Sequence, residues 1–357
     1  MKFNSKALLA AAGMAAFAFS PANAYEGGVA WQSKPGVFIG ASAGVPPPGI
    51  YMFNQVFTYQ SNVAGPITNV PGIGNKAGVQ AAVDVQGFLF VPGWTFLGAT
   101  YDAVIVQPFG MVSVGQPLSL NPRQIDMFSG VHNTYFVPVE LSWKLGTSGF
   151  VFKTGLGIYA PTGTIQGATG LGCLAPNATG CNGFANFGNK YWTFQPEAII
   201  SYLANGWNLS GAFYAEFNTA NQPDNYTHGD VFHADFTATK TFGKWTVGPV
   251  AYYVAQVSDD KCPIGVCTAA HPLGIVGNTQ RFSLFALGGL VEYNFGPASL
   301  SVWATQEVFS HASGGQLPAA LGGEDLSNIT RGSTIFATLS YRLWAPEEPA
   351  KAPMFHK

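Results

Sequence analysis

Twelve segments of the chain alternate apolar and polar side chains, and the connections between them alternate in length. The period-2 segments lie at 49–60, 78–90, 94–107, 131–145, 149–160, 190–203, 206–218, 229–242, 244–258, 280–294, 298–310 and 332–344. After even-numbered segments the links are tight: Val91-Pro92-Gly93, Gly146-Thr147-Ser148, Asn205-Gly206, Gly243 and Phe295-Gly296-Pro297. After odd-numbered segments they are long, at 61–77, 108–130, 161–189, 219–228, 259–279 and 311–331. A β-sandwich also alternates its side chains, but it has no reason to sort its loops by parity. A membrane barrel does, with short turns at one rim and long loops at the other. An even strand count puts both chain ends at the short-turn rim.

Each segment predicts one apolar and one polar wall, because successive strand side chains point to opposite faces. In 131–145, Tyr135, Val137, Val139, Leu141, Trp143 and Leu145 share one parity, against His132, Thr134, Glu140, Ser142 and Lys144. Pro138 interrupts the pattern, which suits a bulge. In 206–218, Trp207, Leu209, Phe213, Ala215 and Phe217 oppose Asn208, Ser210, Tyr214, Glu216 and Asn218. In 332–344, Ile335, Ala337, Leu339, Tyr341 and Leu343 oppose Thr334, Thr338, Ser340 and Arg342. Aromatic residues gather at segment ends (Tyr51, Tyr59, Trp94, Trp143, Tyr159, Trp192, Trp207, Trp245 and Trp344), as in the girdles of an outer-membrane barrel.

Composition sharpens the choice. Charged residues make up 10% of the chain and aromatic residues 14%, where about 25% charged is usual for a soluble domain. No segment after the N-terminus offers the 18 apolar residues of a spanning helix. Lipid satisfies no backbone N–H or C=O group, so a sheet in a membrane must close on itself. The expected fold is therefore all-β: a transmembrane antiparallel up-and-down barrel of about 12 strands, residues 49–344, with long outer loops and short periplasmic turns.

Lys2 and Lys6, the apolar run from Ala7 to Phe19, and Ala22-Asn23-Ala24 have the layout of a secretory signal peptide over residues 1–24. The run is too short to span a bilayer, which takes about 20 apolar residues. Removing it leaves 333 residues with 14 basic and 18 acidic side chains, a net charge of −4. With no basic excess, nucleic acid is excluded as a partner. Residues 25–48, rich in Gly and Pro and carrying Trp31 and Phe38, make no regular strand and are expected to fold into the periplasmic mouth as a partial plug. Residues 345–357 read as a periplasmic tail. Cys173, Cys181, Cys262 and Cys267 form two close pairs in long loops. In an exported chain they are expected to be disulfides, Cys173–Cys181 and Cys262–Cys267, one of the three connectivities that four cysteines allow.

Several motifs resemble, in order along the chain, the family of outer-membrane proteins named for the meta pathway of phenol degradation. They are Val45-Pro46-Pro47-Pro48-Gly49-Ile50-Tyr51, Gly157-Ile158-Tyr159-Ala160-Pro161-Thr162-Gly163 and Asn189-Lys190-Tyr191-Trp192-Thr193-Phe194-Gln195-Pro196. Phe217-Asn218-Thr219-Ala220-Asn221 follows, then Tyr226, His228-Gly229, Asp235, and Gly277-Asn278 before Arg281. The resemblance covers roughly residues 26–343. It implies a barrel-forming channel similar to transporters of long-chain fatty acids and aromatic hydrocarbons. The expected role is passive uptake of small hydrophobic or aromatic compounds, phenol-like or hydrocarbon. The alternative is a structural or adhesive surface protein working through its long loops.

The sequence offers no enzyme and no cofactor site. It lacks a Gly-x-Ser-x-Gly elbow and a Gly-rich phosphate loop. His233 and Asp235 share one strand face. They suit a hydrogen-bonded polar lining better than a metal site, since no third ligand is evident. Projecting polar walls inward gives Asp84, Asp102, Glu140, Glu197, Glu216, Asp235 and Glu307, opposed by Lys144, Lys153 and Arg342. Mutual neutralisation accounts for such a set, and a charged constriction that selects solutes is the functional alternative. Phe88, Phe90, Phe96 and Tyr214 are expected to supply greasy patches along the lumen. The expected partners are outer-membrane lipid, lipopolysaccharide and small apolar solutes; oligomeric state is not legible in the sequence.

Overall fold

The computed structural model describes residues 32–65, 79–115, 125–165, 187–222, 225, 227–261, 281–314, 323, 325, 327 and 329–346. The proposed signal peptide, all four cysteines and residues 347–357 of the tail lie outside them.

The strands are β1 (Gly49–Ala64), β2 (Val79–Val91), β3 (Thr95–Phe96), β4 (Ala99–Gly115), β5 (Ile125–Val131), β6 (Thr134–Lys144) and β7 (Phe150–Ala160). There follow β8 (Thr193–Ala204), β9 (Trp207–Asn218), β10 (Val231–Phe242), β11 (Trp245–Gln256), β12 (Arg281–Asn294), β13 (Ala298–Ser313) and β14 (Ile329–Trp344). Every long strand pairs antiparallel with its sequence neighbour, and β14 returns to β1 with Phe57 opposite Phe336. That last pairing closes the sheet and leaves no open edge. Twelve strands form the wall. The two short ones are additions: β3 folds the turn after β2 onto β4, and β5 extends β6 along the upper part of β4.

The short turns follow from their residues. Asn205 and Gly206 have φ of 52° and 76°, the left-handed pair of a type I′ hairpin, which Asn-Gly adopts at least cost. Outward side chains in β8 to β12 are large and apolar, among them Ile200, Leu209, Phe236, Val247 and Leu287. Trp207, Trp245 and Trp344 stand exposed at strand ends near the short-turn rim. Inward positions are polar and buried: Ser201, Ser210, Glu216, His233, Asp235, Thr237 and Thr239. A sheet greasy outside and polar inside is the reverse of a soluble core and matches a lipid-facing barrel.

Two walls depart from simple alternation. In β6, pairing with β7 breaks between Phe136 and Glu140, where Pro138 has no N–H to give. The bulge inverts parity. Tyr135 and Val137 are buried inside, Val139 is exposed outside, and Glu140 and Ser142 return inside. The expectation that Tyr135 and Val137 share the face of Leu141 is thus corrected. In β1, β2 and β4 the inner face is itself apolar: Phe53, Phe57, Val83, Val85, Val104 and Val106 form or flank the main buried apolar cluster. Phe53 lies across Gly87, whose missing side chain makes the space.

Candidate functional site

The lumen is occupied by the chain's own residues 32–48. Gln32 donates to Thr193 at the long-loop end of β8 (3.0 Å), and Gly49 begins β1 at the short-turn rim, so the segment runs lengthwise through the barrel. Among the described residues it has no strand partner, so its own turns and wall side chains satisfy its backbone. Asp235 accepts from the amides of Gly36 and Phe38, each at 3.1 Å. Gly40 N–H donates to Thr237 (2.9 Å) and Ala43 N–H to Ser201 (2.8 Å). Ser142 donates to the carbonyl of Ala43 (2.5 Å) and the indole of Trp303 to that of Gly36 (3.1 Å). Gly36 has φ of 87°, and a Cβ there would meet the Tyr252 ring at 2.8 Å, so only glycine fits this bend.

Two carboxylates anchor the upper part of the segment. Lys34 Nζ donates to Glu307 (3.3 Å) and to the Tyr252 hydroxyl (3.2 Å), and sits 4.5 Å from the Tyr59 ring centroid. Glu307 also accepts from Tyr252, Tyr59 and the Gly332 amide. Lower down, Phe38 stacks on Tyr214 at 4.6 Å, and Tyr214 stacks on His233 at the same spacing. His233 meets Gln195 (3.2 Å) and Glu216 (3.5 Å). With both Asp235 oxygens engaged by backbone amides, the His233/Asp235 face is a polar lining that grips a peptide. Among the described residues, no three potential metal ligands gather.

A second polar knot is formed from β4, β6, β7 and β8. Lys153 reaches Asp102 at 3.0 Å and Glu140 at 3.3 Å, all three side chains being less than one-tenth exposed. Glu197 belongs to the same cluster and lies over Gly155. A lysine held between carboxylates is the arrangement that keeps charges tolerable away from water.

Between the segment and the β1–β2–β4–β6 wall lies a cavity of about 560 Å³, within the 300–1,000 Å³ range of small-molecule sites. Val37 and Phe38 face it from the segment. Phe53, Phe57, Val83, Val85, Leu89, Val104, Val106 and Val137 face it from the wall. It extends from Val79, Val112 and His132 near the long-loop end to Tyr51, Pro46 and Ser340 near the short-turn end, with Glu140, Lys153 and Glu197 along one flank. The long axis of the lumen thus carries a lane that is apolar for most of its perimeter.

Most of the residues singled out from sequence are inside. Asp102, Glu140, Lys153, Glu197, Tyr214, Glu216, His233 and Asp235 are all buried. Lys144 is exposed at the end of β6. Arg342 stands at the short-turn rim, bonded to the Pro48 carbonyl and 5.7 Å from the Tyr51 ring. Phe88, Phe90 and Phe96 are corrected: they are 41%, 41% and 60% exposed, on the outer surface. Asp84 is corrected too, since it alternates with the cavity-lining Val83 and Val85 and faces outward. β2 carries apolar residues on both parities, so periodicity alone does not choose its inner face. The smaller Val83, Val85 and Gly87 leave room inside, while the phenylalanines enter the lipid. The apolar lane and Lys34 escaped the sequence reading, although hydrophobicity on both faces of β2 and β4 is its visible trace.

Closed sheet, lipid-facing apolar belt and internally filled lumen define an outer-membrane β-barrel. The chain matches, over residues 60–311, the family described as "Putative MetA-pathway of phenol degradation", and it belongs to that family. Among solved structures, an outer membrane channel from Pseudomonas putida F1 superposes with a TM-score of 0.60 at 12% identity, covering 87% of this chain and 99% of that one. The β domain of a Bordetella autotransporter (TM-score 0.40, 12% identity, 83% of this chain and 100% of that one) is more distant. A Pseudomonas aeruginosa FadL homologue (0.35, 12%, 82% and 90%) is also more distant. No curated protein matches. The protein resides in the outer membrane, and its short-turn rim is periplasmic.

Proposed function

We propose that the protein is a channel for passive uptake of small hydrophobic or aromatic compounds, phenol-like or hydrocarbon, which travel along the apolar lane. The observation that carries this reading is the 560 Å³ cavity lined by Phe53, Phe57, Val85 and Val106 inside a barrel whose polar residues lie mainly elsewhere in the lumen. A water-filled diffusion pore has no use for such a wall, because apolar surface facing water is unfavourable. An apolar solute entering it gains the transfer free energy that a polar one forfeits. In this reading residues 32–48 are a plug that narrows the lumen to the width of one solute. Asp235, Thr237 and Ser201 hold the plug in place, with Tyr214, Glu216 and His233 packing behind it. Asp102, Glu140, Lys153 and Glu197 give the lane a polar flank, and Lys144 and Arg342 lie at its periplasmic exit.

The test is uptake into proteoliposomes with a panel of phenols, alkanes and sugars. The expected result is uptake of phenol and toluene above protein-free vesicles, with little swelling in sugars. Rapid sugar entry with no gain for phenol or toluene overturns the proposal.

A further inference from the structure

The outer face of β1 and β2 breaks the rule that β8 to β12 obey. Asn54, Asp84 and Gln86 occupy outward positions, each alternating with side chains that line the lumen. Asn54 and Gln86 face each other directly in register. Asn54 donates to Asp84 Oδ1 at 2.5 Å and Gln86 donates to the same oxygen at 3.1 Å. Asn54 is five residues from Gly49 and Gln86 five from Val91, the periplasmic strand ends. At about 3.3 Å per residue and a tilt of roughly 40°, that is about 12 Å of height. The apolar belt of such a barrel is about 25 Å tall, so Asn54 and Gln86 sit near mid-bilayer and Asp84, two residues further along β2, lies about 5 Å higher within the belt.

Lipid tails offer no partner to polar groups at that depth. Both donors serve Oδ1, so Asp84 Oδ2, both amide oxygens and one N–H of each amide have no partner among the described residues. A carboxylate and two amides left this way in hydrocarbon are costly. On β8 to β12 the corresponding belt is apolar, so the cost falls on the β1–β2 face and not on that one.

We propose that this face is the contact of a homodimer, with two copies related by a twofold axis along the membrane normal. The patch is self-complementary, as a twofold contact demands. The spare amide N–H groups of Asn54 and Gln86 in one copy donate to Asp84 Oδ2 of the other, and reciprocally. A twofold axis along the membrane normal brings identical patches to the same depth. Ala82, small and exposed beside Asp84 on the same face, allows the two walls to approach.

Photocrosslinking in intact outer membranes tests this. Benzoylphenylalanine replaces Val56, 44% exposed at the edge of the patch, or Leu209, 42% exposed on another wall. The expected result is an adduct of two copies of this chain from position 56 and none from 209, lost in the variant carrying N54L, D84L and Q86L. Those substitutions place leucine against lipid, and heat-dependent gel mobility verifies that the variant is folded. Absence of a two-copy adduct at 56, an adduct with a different protein or with lipid alone, or a two-copy adduct that survives the triple substitution overturns the proposal.

Discussion

Asp235→Ala should release the N-terminal segment from the lumen. The carboxylate of Asp235 accepts two backbone amides, Gly36 and Phe38, at 3.1 Å each. Hydrogen bonds to a charged group contribute about 1.5–3 kcal/mol apiece, so the pair supplies roughly 3–6 kcal/mol of attachment. Six neutral bonds remain between Gly36 and Ala43: Gly40 to Thr237, Ala43 to Ser201, Trp303 to the Gly36 carbonyl, Gln55 to the Val37 carbonyl, Ser142 to the Ala43 carbonyl and Asn208 to the Gly40 carbonyl. At about 1 kcal/mol each, they sum to about 6 kcal/mol. Asp235 thus carries about a third to a half of the grip. If the segment stays, two buried N–H groups lose their partner; if it leaves, they find water. At 1.4 kcal/mol per tenfold, the detached population should rise by about 10²–10⁴-fold. Planar-bilayer recordings of the folded variant should show higher mean conductance and added slow steps, and residues 32–44 should become sensitive to added protease. Asp235→Asn keeps one acceptor oxygen and should give an intermediate phenotype. A folded Asp235→Ala barrel with wild-type conductance and a protected segment would refute this account of the attachment.

Other perturbations probe the remaining parts. Lys153→Met leaves Asp102 and Glu140 buried without their cation and should destabilise the barrel by about 3–5 kcal/mol, read as a lower unfolding midpoint in detergent; adding Asp102→Asn and Glu140→Gln should restore most of the loss. Gly87→Ala drives a methyl group into the Phe53 ring and should cost about 1–3 kcal/mol by overpacking, relieved by Phe53→Leu. Val85→Trp fills the lane from the wall side, so phenol uptake should fall to the level of protein-free vesicles while the unfolding midpoint moves little.

The sequence made the barrel legible because three independent patterns agree: alternation within segments, parity of loop length, and tryptophans at segment ends such as Trp207, Trp245 and Trp344. Each reflects the same boundary between lipid and water. Inner-wall residues were legible wherever one parity is polar, as with Glu216 and Ser210 in β9 or Asp235 and Thr237 in β10. They were not legible in β2, where Val83, Val85 and Leu89 compete with Phe88 and Phe90 for the same side. There, hydrophobicity no longer marks lipid, because the lumen opposite is apolar as well. The bulge at Pro138 hid the inner positions of Tyr135 and Val137 for a local reason: one proline reverses the parity of everything before it. The course of residues 32–48 was legible only as an exclusion, since Gly- and Pro-rich chain makes no strand. Its path depends on hydrogen-bond partners from β6, β8, β10 and β13, which no local pattern encodes.

Mapping where an apolar molecule rests inside the barrel tests the central claim most directly. The protein in native membranes is labelled with a diazirine-bearing phenol and the modified peptides are sequenced. Adducts should fall on Phe53, Phe57, Val85 and Val106 and disappear when excess phenol competes. Labelling confined to the lipid-facing Leu209 and Leu287, unchanged by competitor, would contradict an apolar passage through the lumen.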